Sequence, residues 1–186
     1  MASLDILWPF IRSYEGGFVN DPDDAGGATN MGVTIATWRK QGYDKDGDGD
    51  IDVNDLRKIS ESDARKIMKA NYWDRWKADE IEDQSIANLL VDWVWGSGAY
   101  GIKIPQRILY VKIDGVVGTE TLGALNAQEP KAFFRKLHEE REKYFERIVQ
   151  VRPVNRKYLK GWLRRLNAIQ YGSLTLNSVP AKTIRF

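Results

Sequence analysis

Two stretches of the chain hold carboxylates at spacings that chemistry uses. The first is SYEGGFVNDPDDAGGATNMGVT, residues 13–34, in which Glu15 stands directly before Gly16-Gly17 and Asp24 follows nine residues later. A carboxylic acid can donate a proton to a departing oxygen, and a second carboxylate can orient water or stabilise a cationic transition state. Glu15 falls at the C-terminal end of a predicted helix, where the helix dipole bears on its charge and Tyr14 and Phe18 flank it, a setting that suits a general acid. The same residues also read as a surface glutamate beside a helix stop, and NDPDDAGG is good turn chemistry in its own right.

The second stretch is DKDGDGDIDVND. Asp44, Asp46, Asp48, Asp50, Asp52 and Asp55 occupy positions 1, 3, 5, 7, 9 and 12 of a twelve-residue loop, with Gly49 at position 6 and Ile51 at position 8. This is the EF-hand spacing, in which alternating oxygens converge on a hard cation and position 7, here Asp50, lends its carbonyl. Position 12 is Asp where Glu is usual, which shortens the last ligand's reach. The alternative is a solvated acidic turn, but six acids at these spacings repel one another without a cation. One structural calcium ion is therefore expected. A single loop between two helix candidates staples a fold; sensors usually pair two.

Other chemistries are excluded by what is missing. The 186 residues include no Cys and one His, so thiolate nucleophiles, cysteine-ligated zinc and multi-histidine zinc sites are out. His138 lies in KLHEEREKYFERI, a charged amphipathic helix pattern, and a catalytic role is not expected of it. The formal net charge is +2, so nothing calls for a nucleic-acid partner. The seven Trp and eight Tyr serve cores and also stack on sugar rings. The start of the chain, MASLDILWPFIRSYEGG, lacks the pattern of a signal peptide, and no run of about 18 apolar residues is present to cross a membrane. Synthesis in the cytoplasm, and action elsewhere only after release, is the expectation.

The elements that must hold these carboxylates are mostly helical. Leu4, Leu7, Phe10 or Ile11, and Tyr14 share one face of a helix over 4–14 that Gly16-Gly17 ends. Residues 18–34 have turn composition with room for a short hairpin. Short helical pattern covers 34–41, and a helix over 62–77 opens at Ser60 or Ser62. QSIANLLVDWVW, residues 84–95, is apolar nearly all round, as a buried central helix must be. Further helices are predicted at 101–112, after the turn in IDGVVGTETLGAL, at 130–150 and at 155–168, and the tail over 171–186 reads as irregular. Arg141 falls on the apolar face of Phe134, Leu137, Tyr144 and Ile148, so it needs an acid partner, for which Glu15 and Asp92 are candidates.

YEGGFVNDPDDAGGATNMGVT closely resembles the signature of glycoside hydrolase family 108, the lysozyme-like N-acetylmuramidases of phage endolysin type. IANLLVDWVWGSG is similar to that family's central helix, with Gly96 where an Asn is usual. IDGVVGTETLGAL resembles the opening of its C-terminal peptidoglycan-binding region, and GWLRRLNAI its last helix. The acidic loop stands as an insertion. The resemblance implies a mainly α, lysozyme-like α+β fold: residues 1–100 a catalytic region carrying the calcium loop at 44–55, residues 101–170 a helical peptidoglycan-binding-like region packed on it, and 171–186 a tail. It implies hydrolysis of the β-1,4 bond between N-acetylmuramic acid and N-acetylglucosamine, with bacterial peptidoglycan as partner; a monomer is the expected acting species. The family's catalytic Glu maps onto Glu15. Asp24 is the candidate second carboxylate, and Thr29, Asn30 and Thr34 are candidates for substrate contact. A lytic transglycosylase, and a non-catalytic wall-binding or secretion-accessory protein, remain the alternatives.

Overall fold

The computed structural model describes residues 1–20 and 27–186. Its first helix, α1 (Leu4–Tyr14), is opened by Ser3, whose hydroxyl accepts from the Asp5 amide, and buries Leu4, Leu7, Trp8, Phe10 and Ile11. A two-stranded antiparallel hairpin follows, β1 (Thr29–Asn30) and β2 (Val33–Thr34), pairing Thr29 with Thr34 and Asn30 with Val33. Its turn, Met31-Gly32, takes positive φ at both residues, 49° and 79°, the conformation that short hairpins favour. Thr34 then caps α2 (Ile35–Gln41) by accepting from the Thr37 amide.

The acidic loop connects α2 to α3 (Val53–Lys58), a short helix opened by a capping box between Asp52 and Asp55. A second capping box, Ser60 with Asp63, opens α4 (Glu61–Met68). The continuous helix expected over 62–77 stops there. Residues Lys69–Trp73 take one π-helical turn and Asp74–Trp76 a 3-10 turn, after which Lys77 is left-handed at φ 48°. Trp73 and Trp76 are both fully buried, and the widened turn brings these large rings inward while setting Tyr72 on another surface.

The centre of the molecule is α5 (Gln84–Ser97), capped by Asp83 and buried from Ser85 through Val94. It packs on α6 (Tyr100–Ile108) and on α8 (Pro130–Val151), which is joined through α7 (Thr119–Asn126) and leads to α9 (Arg156–Asn167). Gly101 lets α6 cross α5 closely, because a Cβ there would lie 2.5 Å from the Val94 backbone nitrogen. Leu7 and Phe10 of α1, Leu89 and Trp93 of α5, Leu137 and Phe145 of α8 and Leu166 of α9 belong to one continuous apolar core.

The tail corrects the expectation of irregular chain. β3 (Ile169–Gln170), β4 (Ser173–Thr175) and β5 (Thr183–Arg185) form a three-stranded antiparallel sheet in the order β3-β4-β5. Strands of two or three residues are too short for a period of two to stand out in the sequence. They are ordered instead by anchors: Ile169 and Leu174 are fully buried, the Gly172 amide donates to Ser85 Oγ at 2.8 Å, and the Asn177 amide donates to Ser13 Oγ at 2.9 Å. Among the described residues, no helix is long and apolar enough to cross a membrane.

Candidate active site

Glu15 leaves the helix at a fixed angle. Its backbone is extended at φ −92° and ψ 136°, its amide donates to the Arg12 carbonyl, and Arg12 Nη1 donates back to the Glu15 carbonyl at 2.9 Å. The side chain thus projects from the end of α1 instead of along it. There Oε1 accepts from the Trp95 indole at 2.9 Å and lies 3.3 Å from Arg165 Nη1. Oε2 faces the hairpin turn, since a Cβ on Gly32 would lie 3.0 Å from it and 2.5 Å from the Trp95 ring. Only glycine fits at position 32, both for its positive φ and for this approach. Tyr72, turned out by the π-helical segment, packs its ring 4.6 Å from that of Trp95. Burial, ahead of the opposing Arg75 and the reinforcing Glu15, holds the Tyr72 phenol above its ordinary value. Glu15 keeps 19% of its side chain exposed, so a substrate can reach it.

Arg165 joins this carboxylate to the buried one. Its Nε and Nη2 donate to Asp92 Oδ1 at 3.0 and 2.8 Å, while Arg141 Nη2 donates to Asp92 Oδ2 at 2.8 Å. Asp92 is fully buried, and its partner Arg141 nearly so. Burial works against the charge on Asp92, but Arg165 and then Arg141 outweigh it and hold the carboxyl below the ordinary carboxylate range. Of the two acids open to Arg141 from the sequence, the fold selects Asp92. Tyr14 and Phe10 lie under the Arg165 guanidinium, 4.9 and 5.9 Å from ring centre to Cζ, which fixes the fork's plane. Glu15, Arg165, Asp92 and Arg141 form one hydrogen-bonded chain of two carboxyl groups and two guanidiniums.

The other residues singled out from the sequence divide. Asp24 lies outside the described residues. Thr29 sits in β1 across from Thr34, and its backbone exchanges two hydrogen bonds of 2.8 Å with Val19. Asn30 is buried, and its amide donates to the carbonyls of Leu56 at 2.9 Å and Arg57 at 3.4 Å, which ties the hairpin to α3. Thr34 Oγ1 accepts from the Thr37 amide at 3.1 Å as the cap of α2. Trp95, Arg165, Gly32 and Tyr72 were not singled out. Trp95 and Arg165 do fall inside WVWGSG and GWLRRLNAI, and Arg165 three residues after Trp162 on an amphipathic helix was the available signal.

In the acidic loop, Asp44, Asp46 and Asp48 each present an oxygen within 4.8 Å of the others, and Asp50, Asp52 and Asp55 form a second such group. Asp44 accepts from the amides of Gly47 and Gly49, at 2.6 and 2.9 Å. Asp55 accepts from the amides of Lys45, Asp46 and Asp52, at 2.6, 3.1 and 2.8 Å. Those backbone donors, Asp52 first, hold its carboxyl below the ordinary range against burial. The carboxyl of Asp50 is pushed up, by Asp48 first and then by burial and its other acidic neighbours. Lys58 neutralises only Oδ2 of Asp46, at 3.2 Å, while Asp46 Oδ1 is buried with no hydrogen-bond partner among the described residues. An all-oxygen, charge-crowded donor set with an orphaned buried oxygen fits a calcium ion.

The model of the glycosyl hydrolase 108 family matches residues 8–98, which include Glu15, Gly32, Tyr72, Asp92 and Trp95. A second model, described as a predicted peptidoglycan domain, matches residues 100–167, which include Arg141 and Arg165. Among solved structures, that of Brucella abortus SagA is similar, with 27% identity over 87% of each chain and a TM-score of 0.68. No curated protein sequence matches the chain.

Proposed function

We propose that this chain, whose residues 8–98 match the glycosyl hydrolase 108 family and whose fold is lysozyme-like α+β, is an N-acetylmuramidase acting on peptidoglycan, in keeping with the predicted peptidoglycan domain over 100–167, with Glu15 as general acid. The carrying observation is the asymmetry of the Glu15 carboxyl. Oε1 is tied by the Trp95 indole and Arg165. Oε2, beside the hairpin turn, is therefore the oxygen left to deliver the proton. The proton passes to the oxygen linking C1 of N-acetylmuramic acid to its neighbour as that bond breaks, and water adds its oxygen at C1 while giving one proton to a carboxylate, which restores the enzyme's proton count. Asp24 is the second carboxylate in this reading, orienting that water or stabilising the oxocarbenium-like centre. Trp95 and Tyr72 supply an aromatic wall, and Thr29 and Thr34 hydroxyls at the hairpin are candidates to meet the N-acetyl groups; Asn30, with its amide engaged on α3, supports the turn that faces Glu15.

Product chemistry tests the assignment. Digestion of purified cell walls, followed by mass analysis of the muropeptides, is expected to release reducing N-acetylmuramic acid ends. Accumulation of 1,6-anhydro ends would instead mean that the sugar's own hydroxyl replaces water, and the enzyme would be a lytic transglycosylase.

The proposal extends to one structural calcium ion held by Asp44, Asp46, Asp48, Asp52 and Asp55 with the Asp50 carbonyl. Bound there, the ion supplies positive charge to a crowded acidic loop. Its order passes inward along a physical route: Asp55 opens α3, the α3 carbonyls hold Asn30, and Asn30 belongs to the hairpin that faces Glu15. Removing the ion with a chelator is expected to lower the melting temperature, and calcium at about a hundred times its Kd to restore about 2.7 kcal/mol. Asp44→Ala with Asp46→Ala should abolish that calcium response and leave the products unchanged. If melting ignored calcium while the rate tracked metal concentration, the structural role would be wrong.

A further inference from the structure

A groove separate from Glu15 opens between α6 and α8. Trp93 and Trp95 are two residues apart on α5, and at 100° per residue their side chains leave opposite sides of the helix. Trp95 faces Glu15. Trp93 packs its ring 6.1 Å from that of Tyr144, which lines the groove. The cavity is about 500 Å³, and its floor is apolar, formed by Ile104, Ile148 and the Tyr144 ring. This lies within the roughly 300–1,000 Å³ typical of ligand sites.

Its charge is one-sided. Arg107, Arg147 and Arg152 line it together with Asn155, and among the described residues no acidic side chain does. Arg147 and Arg152 enter no salt bridge among the described residues, and Arg107 has only a distant partner, Glu140 at 3.4 Å, which is also held by Lys143 at 2.9 Å. Three arginines along an apolar lining match a ligand that carries several carboxylates on small apolar residues. In peptidoglycan that description fits the peptide stems, with their alanyl methyls and free carboxylates, and not the sugar backbone. All of the lining residues lie in the segment matched by the predicted peptidoglycan domain.

We propose that this groove binds the carboxylate-bearing peptide stems of peptidoglycan, at a site distinct from that of Glu15. The proposal rests on reading the chain as a peptidoglycan enzyme. It places stem recognition on the helical half of the molecule and bond cleavage on the other side of α5. A wall with amidated stems would then be held less well than one with free carboxylates.

The test is calorimetric titration of the whole protein with the synthetic stem L-Ala-γ-D-Glu-meso-diaminopimelate-D-Ala. Saturable binding is expected, weakened by at least about tenfold when the peptide's carboxylates are amidated or when Arg147→Gln and Arg152→Gln are combined. The amidated peptide acts on unaltered protein, so it decides the question even if the double variant folds poorly. Absence of binding, equal binding of the amidated peptide, or equal displacement by inorganic polyphosphate would overturn the proposal, the last by showing an unselective cationic patch. Digestion of walls by the same preparation separates the two readings. Cleavage without stem binding removes the groove alone, and stem binding without cleavage removes the muramidase assignment alone.

Discussion

Glu15→Gln is expected to abolish wall lysis, lowering turnover by about 10²–10⁴-fold, the range that a positioned general acid contributes. Glutamine is nearly isosteric with glutamate, and its carbonyl can still accept from the Trp95 indole. Arg165 loses one charged partner but keeps both of its hydrogen bonds to Asp92. Folding should therefore be little changed, and only the proton that must reach the glycosidic oxygen is gone. Turbidity clearing of purified walls, read beside a thermal melt, measures both. A well-folded Glu15→Gln protein that clears walls at the normal rate would exclude Glu15 as the acid.

The largest loss of stability is expected from Asp92→Ala. Asp92 is fully buried between two guanidiniums. Its removal leaves Arg141 buried and uncompensated and sets Arg165 against it as a like charge. Breaking a buried ion pair from one side costs about 3–5 kcal/mol, which for a chain of this size lowers Tm by roughly 6–20 °C. Because the carboxyl is held below its ordinary value, its stabilisation is fully present above the unfolded pKa of about 4 and is lost as the pH falls further. Wild-type melting should thus drop in acid below about pH 4, and the Asp92→Ala melt should lose that part of the pH dependence. An Asp92→Ala variant whose stability falls by no more than about 0.5 kcal/mol, the range of ordinary surface changes, would show that the network does not carry stability. Activity should fall too, since Arg165 also touches Glu15.

The fold and the site were legible to different depths. The all-round apolar character of residues 84–95 and the 3.6-residue pattern of α1, α8 and α9 follow from neighbours within a turn or two, and such patterns identify buried and amphipathic helices wherever they occur. The break after Met68 was not legible, because nothing local separates a continued helix from a π turn; the burial of Trp73 and Trp76 decides it. The tail sheet was missed for the same kind of reason. Its strands are set by Leu174 and Ile169 entering a core built from α1, α5 and α9, and by Ser13 and Ser85, which lie far away in the chain.

By itself, the sequence determined that a single carboxylate would stand at a helix stop ahead of two glycines, that six aspartates would share one twelve-residue loop, and that Arg141 required an acid. These are statements about residue type and short spacing, which turn chemistry, helix periodicity and the cost of burying charge settle locally. The tertiary structure decided which groups surround that carboxylate. Trp95 lies 80 residues from Glu15 and Arg165 lies 150 residues away, on helices whose amphipathic patterns fix which face turns inward but not which neighbour it meets. That choice is made by the packing of α1, α5 and α9 around one shared core, and only there do a tryptophan, an arginine and a hairpin glycine converge on the two oxygens of Glu15.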